Sequence, residues 1–176
     1  MLPDEGVRVL SLRTATPEDA AAVANVHVRS WQVGYRGLLP DEYLDGLRPE
    51  DRMTRYNFGA TVPSLPTTMV ATADGVICGF VTTGPSRDDE PLSGEVHALY
   101  VDPKAWGLSV ARQLIVEART HLGLLGFKAA VLWVLVGNHR AERFYCLDGW
   151  LPDGRRRIDQ VWGLTVEETC YRRSLP

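Results

Sequence analysis

The sequence predicts an α/β fold built around a mixed sheet, and three observations support this. Segments typical of strands and helices alternate in the order β-α-α-α-β-β-β-α-β-α-β-β. Residues 129–136 are almost wholly apolar, as expected of a strand covered on both faces. Residues 99–115 form an apolar run, a small-residue turn and a segment with helical periodicity. At 176 residues the chain is long enough for one domain with a sizeable core, so we expect residues 1–176 to form a single domain.

The first half of the chain begins with a strand, because residues 7–14 alternate between apolar and polar. Thr16 as an N-cap and Pro17 at the first helical position then predict a helix that ends near Trp31. The pair Asp74-Gly75 indicates a hairpin turn. The remaining predicted elements are two short helices at 40–47 and 49–58, strands at 68–73 and 76–83, and loops at 61–67 and 84–93.

The second half is organised around the strand–turn–helix unit. A strand at 94–101 ends at Asp102-Pro103, and the helix that follows ends near Gly123 and Gly126. After the apolar strand at 129–136, Asn138 is placed to cap a short helix that extends to about residue 147. Two late strands are predicted at 155–162 and 164–172.

Composition excludes several classes of protein. The net charge of −3 argues against a general nucleic-acid binder. No apolar run reaches about 18 residues, so no membrane span is expected. Residues 1–6 are acidic and lack a signal-peptide pattern, and three widely spaced cysteines indicate free, buried thiols, so we expect a cytoplasmic protein. Without a Cys/His cluster, no metal site is predicted.

The turn at residues 106–109 precedes a helix N-terminus, where backbone N–H groups lack helical partners. Such an end carries roughly half a positive charge and suits a phosphate or diphosphate group. An ordinary strand-to-helix turn explains the same spacing, because turns poor in glycine are common at this position. Spacing alone leaves both interpretations open.

Two motifs in the correct order resemble the GNAT family of N-acetyltransferases, and the resemblance covers nearly the whole chain. The first is residues 99–103 with the turn and helix after them, where the family pattern Gln/Arg-x-x-Gly-x-Gly/Ala has Trp106, Ser109 and Ala111. The second is Asn-x-x-Ala-x-x-Phe-Tyr at residues 138–145. Residues 26–44 resemble a subset of bacterial members.

The resemblance implies a mixed, mostly antiparallel sheet flanked by helices, and acetyl-CoA as cosubstrate. It assigns coenzyme binding to the central strand, the turn and the two helices that follow: Leu99, Tyr100, Val101, Trp106, Gly107, Leu108, Ser109, Val110, Ala111, Arg112, Asn138, Ala141 and Phe144. Trp106 removes a polar side chain near the diphosphate, and Ser109 adds a Cβ where the backbone must come close. The Ser109 hydroxyl is a candidate helix cap or a candidate donor to a phosphate oxygen. By analogy with the family, a homodimer is also expected.

Acetyl transfer to an amine poses two proton-transfer problems. A lysine-like amine must be deprotonated, at a cost of roughly 4–5 kcal/mol at pH 7, and the leaving thiolate must be protonated. The resemblance assigns the second task to Tyr145, whose phenol can donate to the coenzyme sulfur. For the base we favour Glu95, provided that burial raises its pKa or that it acts through water. The second option is His97, which lies two residues after Glu95 and points to the same face of the sheet. The third option is a reaction without a protein base.

Several other features have a functional and a structural interpretation. Trp31 is expected in the core, whereas Tyr35 and Asp41 are candidates for the acceptor site. The acidic loop at residues 88–90 would attract a cationic amine, and the run 155–157 of three arginines is either a partner surface or, more commonly, a solvated hairpin.

The first hypothesis is therefore direct transfer of acetyl from acetyl-CoA to an amine in a ternary complex. The alternative is a non-catalytic, regulatory acyl-CoA-binding module on the same fold. A dinucleotide-binding enzyme is disfavoured because the chain has no Gly-x-Gly-x-x-Gly motif. Aminoglycosides, polyamines, amino acids, peptide N-termini and lysine side chains all remain possible acceptors.

Overall fold

The computed structural model describes residues 10–59, 65–88, 90 and 92–176. The strands in this part of the chain are β1 (Leu10–Thr14), β2 (Thr67–Ala73), β3 (Val76–Pro85), β4 (Ser93–Val101), β5 (Ala129–Leu135), β6 (Leu151–Val161) and β7 (Leu164–Ser174). Its α-helices are α1 (Ala20–Gly34), α2 (Asp41–Gly46), α3 (Pro49–Met53), α4 (Val110–Leu124) and α5 (His139–Leu147). Short 3₁₀ turns at Pro17–Asp19 and Pro103–Ala105 precede α1 and α4.

The strands form one sheet in the order β1-β2-β3-β4-β5-β7-β6. The β4–β5 pair is parallel, and the other neighbouring strands in the described chain pair antiparallel. The predicted α/β class with a mixed, mostly antiparallel sheet is confirmed. Strand β5 lies inside the sheet and is buried along most of its length, which explains its apolar sequence as predicted.

Helices cover both faces of the sheet. On one face, the apolar stripe of α4 packs on β2, β3 and β4, with Leu114, Ile115 and Leu122 fully buried. The helix comes close to the sheet because β3 and β4 each offer a glycine. A Cβ on Gly79 would lie 3.0 Å from Val110, and one on Gly94 would lie 2.7 Å from Leu122. The opposite face is covered by α1 and α2.

Several predicted boundaries differ from the structure. The helix predicted at 49–58 ends at Met53, because Tyr56 leaves the helical path to bond His27 and pack near Phe80. Strands β3 and β4 extend into the segment predicted as a loop, and β6 begins at Leu151 rather than 155. The first helix begins as a 3₁₀ turn at Pro17–Asp19 and continues to Gly34. Residues 7–9 of the first predicted strand and 61–64 of a predicted loop lie outside the described residues.

Two further expectations concern the thiols and membranes. All three cysteines are free, but only Cys78 and Cys170 are buried, so the prediction of buried thiols is wrong for the exposed Cys146. Within the described chain, no helix combines the length and apolar character needed to cross a bilayer.

Candidate active site

The central feature of the site is a gap between two strands in the middle of the sheet. Strands β4 and β5 are paired from Ser93 and Ala129 to Val96 and Leu132. Directly after Val96, His97 is an extra residue in β4, because Val96 and Ala98 oppose the consecutive residues Thr83 and Thr82 of β3. This bulge bends β4 away from β5. The two strands then separate and leave backbone groups of both facing a cleft.

The cleft forms part of a cavity of about 660 Å³ that runs between α1, α4 and α5. Of the residues assigned to coenzyme binding, all except Leu108 line it. Tyr145 and His97 also line the cavity, whereas Glu95 does not. Leu108 is displaced because its side chain is exposed and its N–H turns back to the Ala105 carbonyl, at 3.4 Å. The structure therefore brings residues from four separate segments to one cavity.

The N-terminus of α4 offers a row of backbone donors to this cavity. Gly107 and Ser109 both have positive φ angles, of 83° and 62°, which turn the chain sharply before the helix. Among the described residues, no hydrogen-bond acceptor is found for the N–H groups of Gly107, Ser109, Val110, Ala111 and Arg112. Ser109 makes no side-chain cap, so of the two roles considered for its hydroxyl the helix cap is wrong, and donation to a phosphate oxygen stays a prediction. Free amides at a helix N-terminus suit a diphosphate.

Trp106 is held rigidly beside this turn. Its indole N–H donates to the Val101 carbonyl at 2.9 Å, and the Arg140 guanidinium carbon lies 3.4 Å from the centre of its ring. Arg140 and Arg112 both line this end of the cavity, and neither forms an ion pair within the described residues. The cavity thus has a positively charged end.

Helix α5 places Tyr145 on the other side of the cleft. Asn138 caps this helix as predicted, with its Oδ1 accepting from the Ala141 N–H at 3.2 Å. The Tyr145 ring is buried against Phe144, with 5.1 Å between ring centres. Burial, together with nearby Tyr100, raises the pKa of Tyr145 well above its ordinary value. The phenol is therefore fully protonated at neutral pH and remains a hydrogen-bond donor.

Glu95 is completely buried, and Arg87 binds both of its carboxylate oxygens. The Arg87 N–H donates to Oε2 at 2.9 Å, and its guanidinium pairs with Oε1. Burial alone would raise the pKa of Glu95, but the hydrogen bonds from Arg87 outweigh it, and the pKa lies below the ordinary value. The raised pKa that a direct base role requires is absent.

His97 follows Glu95 by two residues on β4, and unlike the Glu95 carboxylate it keeps one hydrogen-bonding atom free. Its Nε2 lies 3.2 Å from the Pro85 carbonyl, which can only accept, so Nε2 carries the proton and Nδ1 has the free lone pair. Burial lowers the pKa of His97, against a smaller opposing effect of the Glu95 carboxylate. The imidazole is therefore neutral at pH 7.

The far end of the cavity, on the α1 face of the sheet, is apolar at its base and charged at its rim. Trp31 is buried and stacks on Trp162 with 4.1 Å between ring centres, and half-buried Tyr35 meets Trp31 edge-on at 4.8 Å. At the rim, Arg157 lies 2.8 Å from Glu168 and 3.4 Å from Asp159. Of the two candidates for the acceptor site, Tyr35 lines the cavity, whereas Asp41 lies outside the cavity lining and is paired with Arg36.

No pattern in the sequence indicated that Arg87, Arg140, Trp162 or Glu168 belong to the site. Arg157 was noted only as one of the three consecutive arginines. Because neighbouring residues of a strand point to opposite faces of the sheet, a strand assignment would have placed Arg157 and Arg156 on different faces. Each arginine of that run has a different carboxylate partner, so the run is not a free basic patch. Asp88 and Glu90 of the acidic loop are bound by Arg155 and, for Glu90, Arg172 as well.

The carboxylates of Asp88 and Glu90 are therefore already neutralised by neighbouring arginines.

Among the described residues, no group of three His, Cys, Asp or Glu side chains has the arrangement of a metal site.

Comparison with known proteins shows the family. The model of the Acetyltransferase (GNAT) family matches residues 26–147. A protein of Archaeoglobus fulgidus named as an uncharacterized N-acetyltransferase is 32% identical over 139 residues, which cover 77% of this chain and 89% of the relative. The uncharacterized N-acetyltransferase YuaI of Bacillus subtilis is 29% identical over 132 residues, 74% of each chain.

Solved structures share the fold at low sequence identity. The PaiA N-acetyltransferase of Thermoplasma acidophilum in complex with coenzyme A superposes with a TM-score of 0.68 at 19% identity, covering 94% of this chain and 99% of the other. YncA of Salmonella typhimurium with its cofactor acetyl-CoA gives a TM-score of 0.69 at 18% identity, covering 95% and 94%. On the family match and the relatives together, the chain belongs to the GNAT family of acetyltransferases.

Proposed function

We propose that this protein transfers the acetyl group of acetyl-CoA directly to a primary amine within a ternary complex. The observation that carries the proposal is one cavity lined by free amides at the N-terminus of α4 and by the protonated hydroxyl of Tyr145. The first group suits the diphosphate of the coenzyme, and the second suits its sulfur. The fold neighbour YncA, determined with acetyl-CoA, supports the choice of cosubstrate.

The coenzyme would be held by backbone more than by side chains. Its diphosphate would accept hydrogen bonds from the N–H groups of Gly107 and residues 109–112, and Arg140 and Arg112 would add positive charge. The pantetheine arm would lie along the free edge of β4 beyond the bulge and pair with it as an added strand does. A backbone N–H near Leu99–Val101 would then polarise the acetyl carbonyl.

In the transfer step, the amine nitrogen attacks the thioester carbon, and the carbon–sulfur bond breaks. Tyr145 would donate its proton to the departing sulfur, so that coenzyme A leaves as the thiol, and the tyrosinate would then regain a proton from solvent. A phenol that is protonated at every physiological pH is suited to this role. The products are the acetylated amine and free coenzyme A.

For removal of the amine proton, the geometry favours His97 over Glu95. His97 lines the cavity with a free Nδ1 lone pair, whereas the Glu95 carboxylate lies outside the lining and is occupied by Arg87. In this proposal Glu95 is a positioning residue, whose negative charge stabilises the imidazolium formed at His97.

Two measurements test the proposal and separate it from a non-catalytic acyl-CoA-binding module. Calorimetric titration with acetyl-CoA should show one site per chain. A thiol-release assay over a panel of amines should then show turnover with at least one of them. Tight binding without thiol release for any amine would favour the module, and absence of binding would contradict both.

A further inference from the structure

The two ends of the cavity differ in charge. At the α4 end, Arg112 and Arg140 line the cavity without an ion-pair partner in the described chain. At the α1 end, the lining carries Arg157 with two carboxylates, Glu168 and Asp159, and Arg87, whose charge is balanced by Glu95. The lining of the α4 end therefore has a formal charge of +2, matching an anionic coenzyme. At the α1 end the Arg87–Glu95 pair is neutral, and the cluster of Arg157, Glu168 and Asp159 has a formal charge of −1.

The two arginines that line this end, Arg87 and Arg157, are both engaged by carboxylates of the described chain. Arg157 holds Glu168 at 2.8 Å through both its Nε and its terminal nitrogen. Arg87 is engaged by both oxygens of Glu95. Arg52 packs on the Trp162 ring at 3.5 Å but does not line the cavity. An amino-acid substrate would have to displace one of these buried or half-buried ion pairs to place its own carboxylate.

Below the charged rim, the α1 end is apolar. Its walls are formed by side chains of α1, the β5–β7 pair and the β6–β7 hairpin: Trp31, Tyr35, Leu135, Val161, Trp162 and Val166. These groups suit a hydrocarbon or aromatic body, whereas a polyamine would leave further positive charges against apolar surface.

We infer that the acceptor is a small primary amine with an apolar or aromatic body, a single positive charge and no carboxylate, and that Glu168 and Asp159 attract its ammonium group. The inference rests on the proposed function and narrows its substrate class. Glu168 lines the same cavity as Tyr35, Tyr100 and the strand gap, so an ammonium drawn to it enters the cavity in which the thioester would lie.

The test compares amines that differ in one feature at a time, in a thiol-release assay with acetyl-CoA. Phenethylamine and L-phenylalanine differ by one carboxylate, and spermidine and a short lysine-containing peptide represent polycations and protein substrates. We expect kcat/KM for phenethylamine to exceed that for each of the others by about tenfold or more. Equal or higher turnover of any of the three others would overturn the inference and leave the proposed function intact. No thiol release from any amine would overturn both.

A pair of variants tests the role assigned to Glu168. Glu168→Gln should raise KM for phenethylamine about tenfold and leave the Kd of acetyl-CoA unchanged. Glu167 on the opposite face of β7 pairs with exposed Arg156, so Glu167→Gln is the matched control and should behave as the wild type. An unchanged KM in a folded Glu168→Gln protein would remove this residue from amine recognition.

Discussion

The Arg140 guanidinium carbon lies 3.4 Å from the centre of the Trp106 indole ring, across the turn that begins α4. The family pattern expects Gln or Arg where this chain has Trp106, so the polar side chain of that position is missing from the turn. Arg140 comes from α5 and brings a positive charge to the same place. The indole, fixed by its bond to Val101, supplies the flat surface on which the guanidinium rests.

The first prediction is that Arg140→Ala weakens coenzyme A binding on the order of tenfold, which corresponds to about 1.4 kcal/mol. The reason is the loss of a charge-assisted contact with phosphate. The Kd of the wild type should also rise more steeply with salt than that of the variant. Calorimetry at two salt concentrations measures both effects.

Arg143→Ala is the control for this experiment, because Arg143 is an exposed arginine on the same helix that does not line the cavity. It should leave Kd and its salt dependence unchanged. If the two variants bind equally well, Arg140 does not contact the coenzyme.

The second prediction concerns the leaving group. Tyr145→Phe should lower kcat by about 10²-fold or more, since general acid catalysis typically contributes that much. The Kd of acetyl-CoA should stay within a factor of a few, because the ring and its packing are kept. Tyr171→Phe is the matched control, a buried tyrosine outside the cavity lining. Unchanged turnover in Tyr145→Phe would exclude Tyr145 as the acid.

The third prediction is a pH dependence set by His97. A base must be neutral, so kcat/KM should fall as the pH drops through the pKa of His97, which burial places below 6.5. Since the Glu95 carboxylate raises that pKa, Glu95→Gln should move the acidic limb of the profile to lower pH. A limb that moves up, or that persists in His97→Gln, would contradict the assignment.

The fourth prediction is a pH-dependent contribution to stability at the start of α1. Hydrogen bonds from Arg13, at 2.6 and 2.9 Å, and one from the Thr16 N–H at 2.8 Å lower the pKa of Asp19 to about 2. A lowered pKa stabilises the fold above the unfolded value of about 3.9, and this contribution is lost as the pH falls toward 2.

Asp19→Asn should therefore lower the free energy of unfolding at pH 7 by on the order of 2 kcal/mol. The difference from the wild type should shrink between about pH 4 and pH 2. Urea denaturation across this range measures it, and Glu42→Gln, on the exposed face of α2, is the control. A difference that does not depend on pH would assign the effect of Asp19 to geometry alone.

Local signals in the sequence were enough to place the elements that form the proposed coenzyme end of the cavity. Periodicity located α4 and β5, the turn at Trp106–Ser109 marked a helix N-terminus, and Asn138 marked the start of α5. Each of these is a short-range pattern whose cause lies within a few residues. The amides of residues 107–112 face the cavity because they lie at a helix N-terminus that follows a sharp turn. Leu108 is the exception, since its N–H bonds the Ala105 carbonyl within the turn.

The acceptor end could not be predicted because it depends on contacts between distant segments. Arg87 engages Glu95 across the β3–β4 connection, and Arg157 engages Glu168 across the β6–β7 hairpin. The bulge at His97 arises from the register of β3 and β4, which the alternation of residues does not reveal. For this reason the sequence favoured Glu95 as base, whereas the cavity lining favours His97.

A crystal structure with bound acetyl-CoA tests the central claim most directly. We predict the diphosphate within hydrogen-bond distance of the N–H groups of Gly107 and residues 109–112, with the thioester sulfur within about 3.5 Å of the Tyr145 hydroxyl. A coenzyme bound outside the gap between β4 and β5, or with its sulfur pointing away from Tyr145, would contradict the account.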